Sequence, residues 1–183
     1  MEIVLITIPF AIYVTYWVYF GDHDTPFEKD AKRFREGQRL FNEEKFEKSF
    51  DFFDQKGKIF PKSAFIWLMK GKCQSRLGNF HSSIFSFEQT LIFDNTVKDA
   101  YFEKGKSHFH LDDVKEAIYE LDKASWHFQD KNYEILRWRS MCFYKIGKLK
   151  EAFNDIEKAA LLGDERANAN ILSSNFFDYS KLI

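Results

Sequence analysis

The sequence predicts an all-α protein of stacked helix pairs, and three regularities carry that prediction. Small residues recur over residues 30–164 at spacings of 34, 34 and 35 residues: Ser49, Ser83, Ala117 and Ala152. Twelve residues before each lies another small residue: Gly37, Gly71, Gly105 and Ser140. Large apolar residues fall three places before and four places after each member of the first series: Phe46, Phe80, Val114, Leu149, and Phe53, Phe87, Leu121, Ile156. A period of 34 with this internal pattern is typical of a repeat array whose unit is a pair of helices.

The period divides the chain into four units, whose residues we number from position 1: 30–63, 64–97, 98–132 and 133–166. In the first unit we expect helix A over about residues 28–42 and helix B over about residues 45–58, with Pro61 ending the unit. Small residues at positions 8 and 20 are expected where the two helices cross, because they let the helix axes approach closely. Residues 167–183 are assigned to a capping helix and an aromatic tail, since the last pair cannot leave its apolar face bare.

The pattern resembles the tetratricopeptide repeat family. The residues that carry the resemblance lie mainly in units two to four: Trp67, Gly71, Gly78, Phe80, Ser83, Phe87, Tyr101, Gly105, Ala117, Ala124, Gly147, Ala152 and Ala159, with Pro61 as the terminal proline of unit one. The match spans about three quarters of the chain, residues 30–166 of 183. Positions 4, 11 and 27 depart from the family pattern in some units: Arg33, Gln74, His108, Lys56 and Thr90. The resemblance implies a right-handed α-solenoid whose helices A line a concave groove for a partner protein.

Composition and motifs argue against several other functions. The formal net charge is -1, and the basic residues are scattered among acidic ones, which speaks against nucleic-acid binding. No phosphate-binding loop, serine-hydrolase or zinc-protease motif is present, so we expect no enzyme, no cofactor, no metal and no small-molecule substrate. Cys73 and Cys142 both fall at position 10, two units apart, roughly 20 Å at about 10 Å per unit. They are interpreted as buried apolar residues rather than as a disulfide or a catalytic thiol.

The first part of the chain predicts a membrane anchor. Residues 3–20 contain 18 residues without a charge and end in a cluster of aromatic side chains. We therefore assign residues 1–21 to a transmembrane helix and residues 22–29 to a linker. A cleavable signal peptide is the first alternative, but a basic start and small residues before a cleavage site are missing. A core or interfacial helix is the second alternative. Basic residues after the span predict a single-pass membrane protein whose array faces the cytoplasm.

The resemblance also implies which residues line the groove, because positions 2, 5, 6, 9, 12 and 13 of helix A face it in the family. The candidate partner-binding residues are Phe65, Met69, Lys72, Arg76, Phe102, Lys106, His110, Trp138, Met141 and Lys145. One edge is basic with apolar residues between the cations, which suits an acidic peptide or helix with apolar anchors. Nearby acidic residues leave open that these charges form only a solvated face. The family's clamp for chaperone C-termini is not matched at the corresponding positions: Phe34, Gln38, Met69, Asp99 and Glu103.

Two functions follow from this interpretation. The first is a membrane-tethered scaffold or adaptor that uses the concave groove to bind a peptide or helix of a partner protein. The alternative is a client-receiving receptor or co-chaperone in protein import, secretion or envelope assembly. Saturation of the groove by a short acidic peptide would favour the alternative, and a stoichiometric complex that survives membrane solubilisation would favour the scaffold.

Overall fold

The computed structural model describes residue 10, residues 12–15 and residues 23–171. Residues 23–171 form ten helices, which we number in chain order. They are α1 (Pro26–Arg33), α2 (Arg35–Asn42), α3 (Phe46–Ile59), α4 (Ala64–Arg76), α5 (Phe80–Phe93), α6 (Lys98–His110), α7 (Val114–His127), α8 (Tyr133–Lys145), α9 (Leu149–Leu161) and α10 (Glu165–Ile171). The predicted all-α solenoid of helix pairs is confirmed in this part of the chain.

The helices pack in the order in which they follow one another along the chain. Helices A and B of one unit form a pair, and helix B then packs against helix A of the next unit. Helices A of consecutive units also contact each other directly, α4 with α6 and α6 with α8. These additional contacts place helices A on the inner side of the array. The residues of helices A that are not packed against helices B therefore form a shared concave surface.

The closest approach within each pair is made by position 8 of helix A and position 24 of helix B. A Cβ atom on Gly71 would lie 2.5 Å from the ring of Phe87, and one on Gly37 would lie 2.5 Å from the ring of Phe53. In the fourth unit a larger residue, Ser140, stands at position 8, and the smaller Ile156 replaces the ring at position 24. The glycines therefore make room for the large residue at position 24, more than for the small residue at position 20.

The small residues at position 20 connect neighbouring units. Ser49 donates a hydrogen bond to the carbonyl oxygen of Gly37 at 2.9 Å, and its hydroxyl accepts one from Cys73 of the next unit at 3.3 Å. The hydroxyl of Ser83 donates a hydrogen bond to the hydroxyl of Ser107 in the following unit, at 2.9 Å. Positions 20 and 10 are thus joined across the unit boundary, where a larger residue would separate the helices.

The turn between helices A and B has the same geometry in all four units. Position 15 adopts a positive φ each time: Glu44 (58°), Gly78 (78°), Asp112 (63°) and Gly147 (75°). The next backbone N–H donates to the carbonyl oxygen five residues earlier, as from Asn79 to Gln74 at 2.8 Å. Two units use glycine for this left-handed residue, whereas the other two accept a conformational cost of about 1–2 kcal/mol.

Ion pairs with buried cations also repeat along the array, and we call them the ion-pair ladder. A cation at position 7 of helix A contacts an acid at position 25 of the preceding helix B in units two to four: Lys70–Asp54 (2.8 Å), Lys104–Glu88 (3.0 Å) and Arg139–Asp122 (2.9 Å). In units three and four the same cation also contacts the acid at position 23 of its own helix B: Glu120 (3.3 Å) and Asp155 (2.6 Å). The three cations are only 12–14% exposed.

These ion pairs hold their groups in the charged form. Burial alone would lower the pKa of Lys104, but the carboxylates of Glu88 and Glu120 outweigh burial and raise it. Burial likewise opposes the charge on Arg139, and Asp155 with Asp122 raises its pKa above the ordinary value. The hydrogen bond from Lys70 is the main reason why the pKa of Asp54 is lowered.

Helix A of the first unit differs from the single helix expected over residues 28–42. It is divided into α1 and α2 at Phe34, whose backbone (φ −105°, ψ 34°) departs from helical values. The Phe34 side chain is buried and packs on Phe60 with ring centroids 5.6 Å apart, in a cluster that includes Phe53 and Phe65. The helix thus bends where this ring enters the core.

The membrane prediction requires correction. The segment assigned to a transmembrane helix, residues 3–20, lies outside the described residues except for residues 10 and 12–15. In the part of the chain that is described, none of the helices combines the length and the apolar character needed to cross a bilayer. Its longest helices have 14 residues, about 21 Å, against a bilayer core of about 30 Å. The prediction of a single-pass membrane protein with a cytoplasmic array is corrected to this finding: the described residues contain no membrane-spanning helix.

Gly71→Ala should destabilise the array by about 1–3 kcal/mol, because the new methyl group would overlap the Phe87 ring. The measurement is urea unfolding followed by circular dichroism. Gly57→Ala in α3 is the matched control, since its Cβ would meet only Ile66 at 3.5 Å and helix propensity favours alanine. Adding Phe87→Leu to Gly71→Ala should recover part of the loss. A destabilisation no greater than that of the control contradicts the close approach.

Arg139→Met should destabilise by about 3–5 kcal/mol, because it leaves the buried carboxylate of Asp155 without its partner. Arg39→Met is the control: Arg39 pairs with Glu36 and Glu43, but it is 57% exposed, so its loss should destabilise the array far less than the loss of Arg139. Thermal unfolding of the two variants measures the difference. Equal losses would show that the ladder stabilises no more than surface ion pairs do.

Candidate functional site

The concave side of units two to four contains an open cavity of about 510 Å³, which we call the groove cavity. Helix A of each of these units supplies one wall, and the capping helix α10 adds Arg166. From the end of α4 and the turn after it come Ser75, Arg76, Gly78 and Phe80. From α6 and α8 come Glu103, Lys106, His110, Glu134, Arg137 and Trp138. The groove cavity therefore mixes charged groups with rings in one continuous space.

A stack of rings forms the apolar part of the groove cavity. The imidazole of His110 lies parallel to the Phe80 ring, with centroids 4.6 Å apart and planes 10° apart. Its other neighbour is Trp138, with centroids at 5.6 Å and planes at 64°. Burial, with a smaller contribution from the Lys106 ammonium group, lowers the pKa of His110. At neutral pH this ring is therefore uncharged, and it offers one donor and one acceptor nitrogen.

The cations of the groove cavity differ in how fully they are paired. The ammonium group of Lys106 lies 3.2 Å from the carboxylate of Glu103 and faces the rings of Phe102 and Trp138 at 4.9 and 5.7 Å. Arg76 is exposed, and no hydrogen bond or ion pair joins it to any residue of the described part of the chain. A guanidinium without a partner inside a concavity is available to a bound anion.

Arg137 lies at the floor of the groove cavity, and its side chain is only 8% exposed. It donates a hydrogen bond to Asp164 at 2.8 Å, and Glu134 approaches it only to 4.0 Å. The Nε–H group of Arg137 is buried and has no acceptor among the described residues. A buried donor without an acceptor costs about 1–3 kcal/mol, so this guanidinium is incompletely satisfied.

Arg137 also connects the groove cavity to the capping helix α10. Asp164 accepts from Arg137 with one oxygen, while its other oxygen accepts from the backbone N–H groups of Arg166 and Ala167 at the start of α10. A second, polar cavity of about 460 Å³ lies beside this contact and shares Glu134, Arg137 and Arg166 with the groove cavity. The orientation of α10 is thus set by a buried ion pair, and that orientation brings Arg166 to the rim.

The ten residues predicted for the groove fall into three groups. Four of them line the groove cavity: Arg76, Lys106, His110 and Trp138. Four are buried within the array, where they pack between helices: Phe65, Met69, Phe102 and Met141. The remaining two, Lys72 and Lys145, pair with Asp99 and Asp112 respectively outside the groove cavity. The structure therefore brings together four of the ten candidates.

Some residues of the groove cavity were missed by sequence reasoning. Glu103, Arg137 and Glu134 stand at groove positions 6, 5 and 2, so their spacing was available as a signal. Phe80 belongs to helix B, and Arg166 belongs to the capping helix. No spacing rule of helix A could have found these two, because their placement depends on how the turn and the cap pack.

Other reactive groups do not assemble into a site. Among residues 10, 12–15 and 23–171, no three His, Cys, Asp or Glu side chains are placed to hold a metal ion. Burial raises the pKa of the Cys142 thiol to about 12, and burial also raises that of Cys73. Both thiols therefore stay protonated at neutral pH and are poor nucleophiles.

Comparison with solved structures identifies the fold. A crystal structure of MamA superposes with a TM-score of 0.65 and 21% sequence identity, covering 72% of this chain and 72% of that chain. MamA residues 41 to the end from Desulfovibrio magneticus RS-1 give 0.66 and 15%, covering 75% and 77%. The first TPR of Spaghetti (RPAP3), bound to the HSP90 peptide SRMEEVD, gives 0.59 and 15%, covering 62% and 89%.

No protein-family model and no curated protein matches the sequence. The structural likenesses, all at low identity, show the fold: a TPR-like α-solenoid. Solenoids of this kind are typically interaction modules, which use an extended concave surface to bind other proteins. The fold is therefore that of a TPR-like α-solenoid, with an open cavity on its concave side.

Neither thiol should react with a disulfide reagent such as dithionitrobenzoate at pH 8 while the array is folded, because both are buried and protonated. In urea both cysteines of the chain should react within seconds to minutes. The absorbance change counts the reacting thiols. Rapid reaction of a thiol in the native protein would contradict this description, and an unfolded sample kept at pH 8 serves as the control for reagent activity.

Proposed function

We propose that the protein is an adaptor that holds an extended peptide or a short helix of a partner protein in its concave groove. The observation that carries this proposal is the groove cavity itself, an open space between helices A of three consecutive units with rings and charges on its walls. Its volume is in the range of about 300–1,000 Å³ found for ligand pockets. Such a space accepts side chains of a bound segment without rearrangement of the core.

The chemistry of the walls supports an acidic segment with apolar anchors. Arg76 has no partner in the described part of the chain, and the stacked rings of Phe80, His110 and Trp138 offer a surface for apolar side chains. The RPAP3 domain, which shares this fold, is bound to a peptide with acidic residues near its end. That likeness supports a peptide ligand in the present chain as part of the proposal.

The mode of binding proposed here is not a copy of the chaperone clamp. Two of the positions that match the clamp hold carboxylates, Asp99 and Glu103, and these face Lys72 and Lys106. An acidic C-terminus placed there would meet like charges. The proposed contacts therefore lie towards the C-terminal part of the groove, where Arg76 and Arg137 stand.

A photo-crosslinking side chain at Ser75, on the rim of the groove cavity, should trap the partner in cells, and mass spectrometry then identifies it. Lys72→Glu combined with Arg76→Glu should then weaken binding of that partner at least about tenfold by titration, without unfolding the array.

Lys115→Glu with Lys150→Glu is the control for this pair. Both lysines are exposed on helices B, outside the groove cavity, and the double change alters the net charge equally. Circular dichroism verifies that all variants are folded. Equal affinity of the groove variant and the wild type would remove the groove from the proposal.

A further inference from the structure

We propose that the groove cavity is a recognition pocket for a carboxylate that lies next to an aromatic side chain in the bound segment. The proposal rests on the proposed function and narrows it, since it assigns the chemistry of the ligand and the side chains that read it. It concerns helices A of units three and four, the end of α4 with the turn after it, and the capping helix α10.

One basic side chain at the rim of the groove cavity is unpaired in the described part of the chain. Lys106 is matched by Glu103, and Arg137 is matched by Asp164. Arg76 alone, on the opposite wall, has neither an ion pair nor a hydrogen bond with the rest of residues 23–171. Its guanidinium can bind both oxygens of a carboxylate in a planar, two-bond geometry.

Arg137 supplies a second cation, independently of Arg76, at the floor of the groove cavity. It is more than nine-tenths buried, and its Nε–H has no acceptor among the described residues. A buried guanidinium that is incompletely satisfied favours an additional anionic partner. A carboxylate has acceptors only, and it would be seated in the groove cavity between the guanidinium groups of Arg76 and Arg137.

The rings beside these cations favour an aromatic side chain next to the carboxylate of the ligand. The faces of His110 and Trp138 meet at 64° and lie beside the cations, and Phe80 supports His110 from behind at 4.6 Å. An aromatic ring of the ligand would extend this arrangement by edge-to-face or offset contact, worth more than burial of its area alone. Because the imidazole of His110 is neutral at pH 7, it offers this ring contact without repelling the neighbouring cations of the groove cavity.

The balance of charge selects the kind of anion. The lining cations Arg76, Lys106, Arg137 and Arg166 stand against Glu103 and Glu134, with Asp164 behind the floor. The surplus is thus one charge (four against three), which fits a singly charged carboxylate better than a doubly charged phosphate. The carboxylate could come from an acidic side chain or from the free end of a peptide, and the test below separates these sources.

The test titrates the full chain with blocked seven-residue peptides, followed by fluorescence anisotropy. The first peptide has an aspartate between two phenylalanines and should bind with a Kd below about 1 mM. Replacing its aspartate by asparagine, or both phenylalanines by alanine, should weaken binding at least about tenfold. A third peptide with asparagine and a free C-terminus reports whether a terminal carboxylate can substitute, and a fourth with phosphoserine should bind no better than the first.

Variants of the protein test which side chains bind the aspartate peptide. Arg76→Gln and His110→Ala should each weaken binding of the aspartate peptide about tenfold. Arg35→Gln should leave binding unchanged, because Arg35 is an exposed residue of unit one that does not line the groove cavity. Arg76→Gln should no longer distinguish aspartate from asparagine. Neither Arg76 nor His110 is a core residue, so both variants should fold as the wild type does.

The outcomes are separable from those of the proposed function. Equal binding of the aspartate and asparagine peptides, tighter binding of the phosphoserine peptide, or an Arg76→Gln variant with wild-type affinity overturns the pocket. If no peptide binds, the pocket also fails. Even if no peptide binds, weaker binding of the crosslinked partner to the Lys72→Glu and Arg76→Glu variant would still support the proposal that the groove binds a partner protein.

Discussion

The contact on which the rest of the array depends is the approach of helix B to the glycine at position 8 of helix A. Without a Cβ atom at Gly37 and Gly71, the rings of Phe53 and Phe87 lie directly against the helix backbone. This approach sets the distance and the angle within each pair, and repetition of the same pair sets the curvature. Helices A are thereby kept on the inner side, where three of them enclose the groove cavity.

Apolar packing alone does not fix the position of one helix pair along the next, whereas the ion-pair ladder does. Each cation at position 7 reaches the acid at position 25 of the preceding unit, which fixes how far one pair is shifted along the next. The first unit has no unit before it and carries Glu36 at position 7 instead of a cation, where it pairs with Arg39 of its own helix. At the other end the Arg137–Asp164 pair fastens the capping helix. Buried charges that satisfy one another in only one arrangement favour a single register.

The groove cavity results from the close packing within each helix pair together with the ion-pair ladder between pairs. The close pairs place the ends of helices A near each other, and the ladder together with the cap brings Arg137 and Arg166 opposite Arg76. Phe65 and Met141 stand at inward positions of helices A, but they are buried in the core and are not available to a partner. The surface left for a partner is therefore smaller and more charged than the list of inward helix positions suggests. The fold shared with MamA and the RPAP3 domain provides the concave shape, whereas these particular side chains distinguish this chain.

The sequence by itself determined the helix pairs, their 34-residue period and the buried state of both cysteines, because each depends on residues close in the chain or repeated at a fixed spacing. It also placed four residues of the groove cavity: Arg76, Lys106, His110 and Trp138. Only the tertiary structure decided the bend at Phe34, the burial of Arg137 and the arrival of Arg166 at the rim. These depend on which surfaces meet when distant residues pack, and a local pattern carries no information about the partner across an interface. The membrane assignment was drawn from the hydropathy of residues 3–20 alone, and no helix in the described part of the chain can span a membrane.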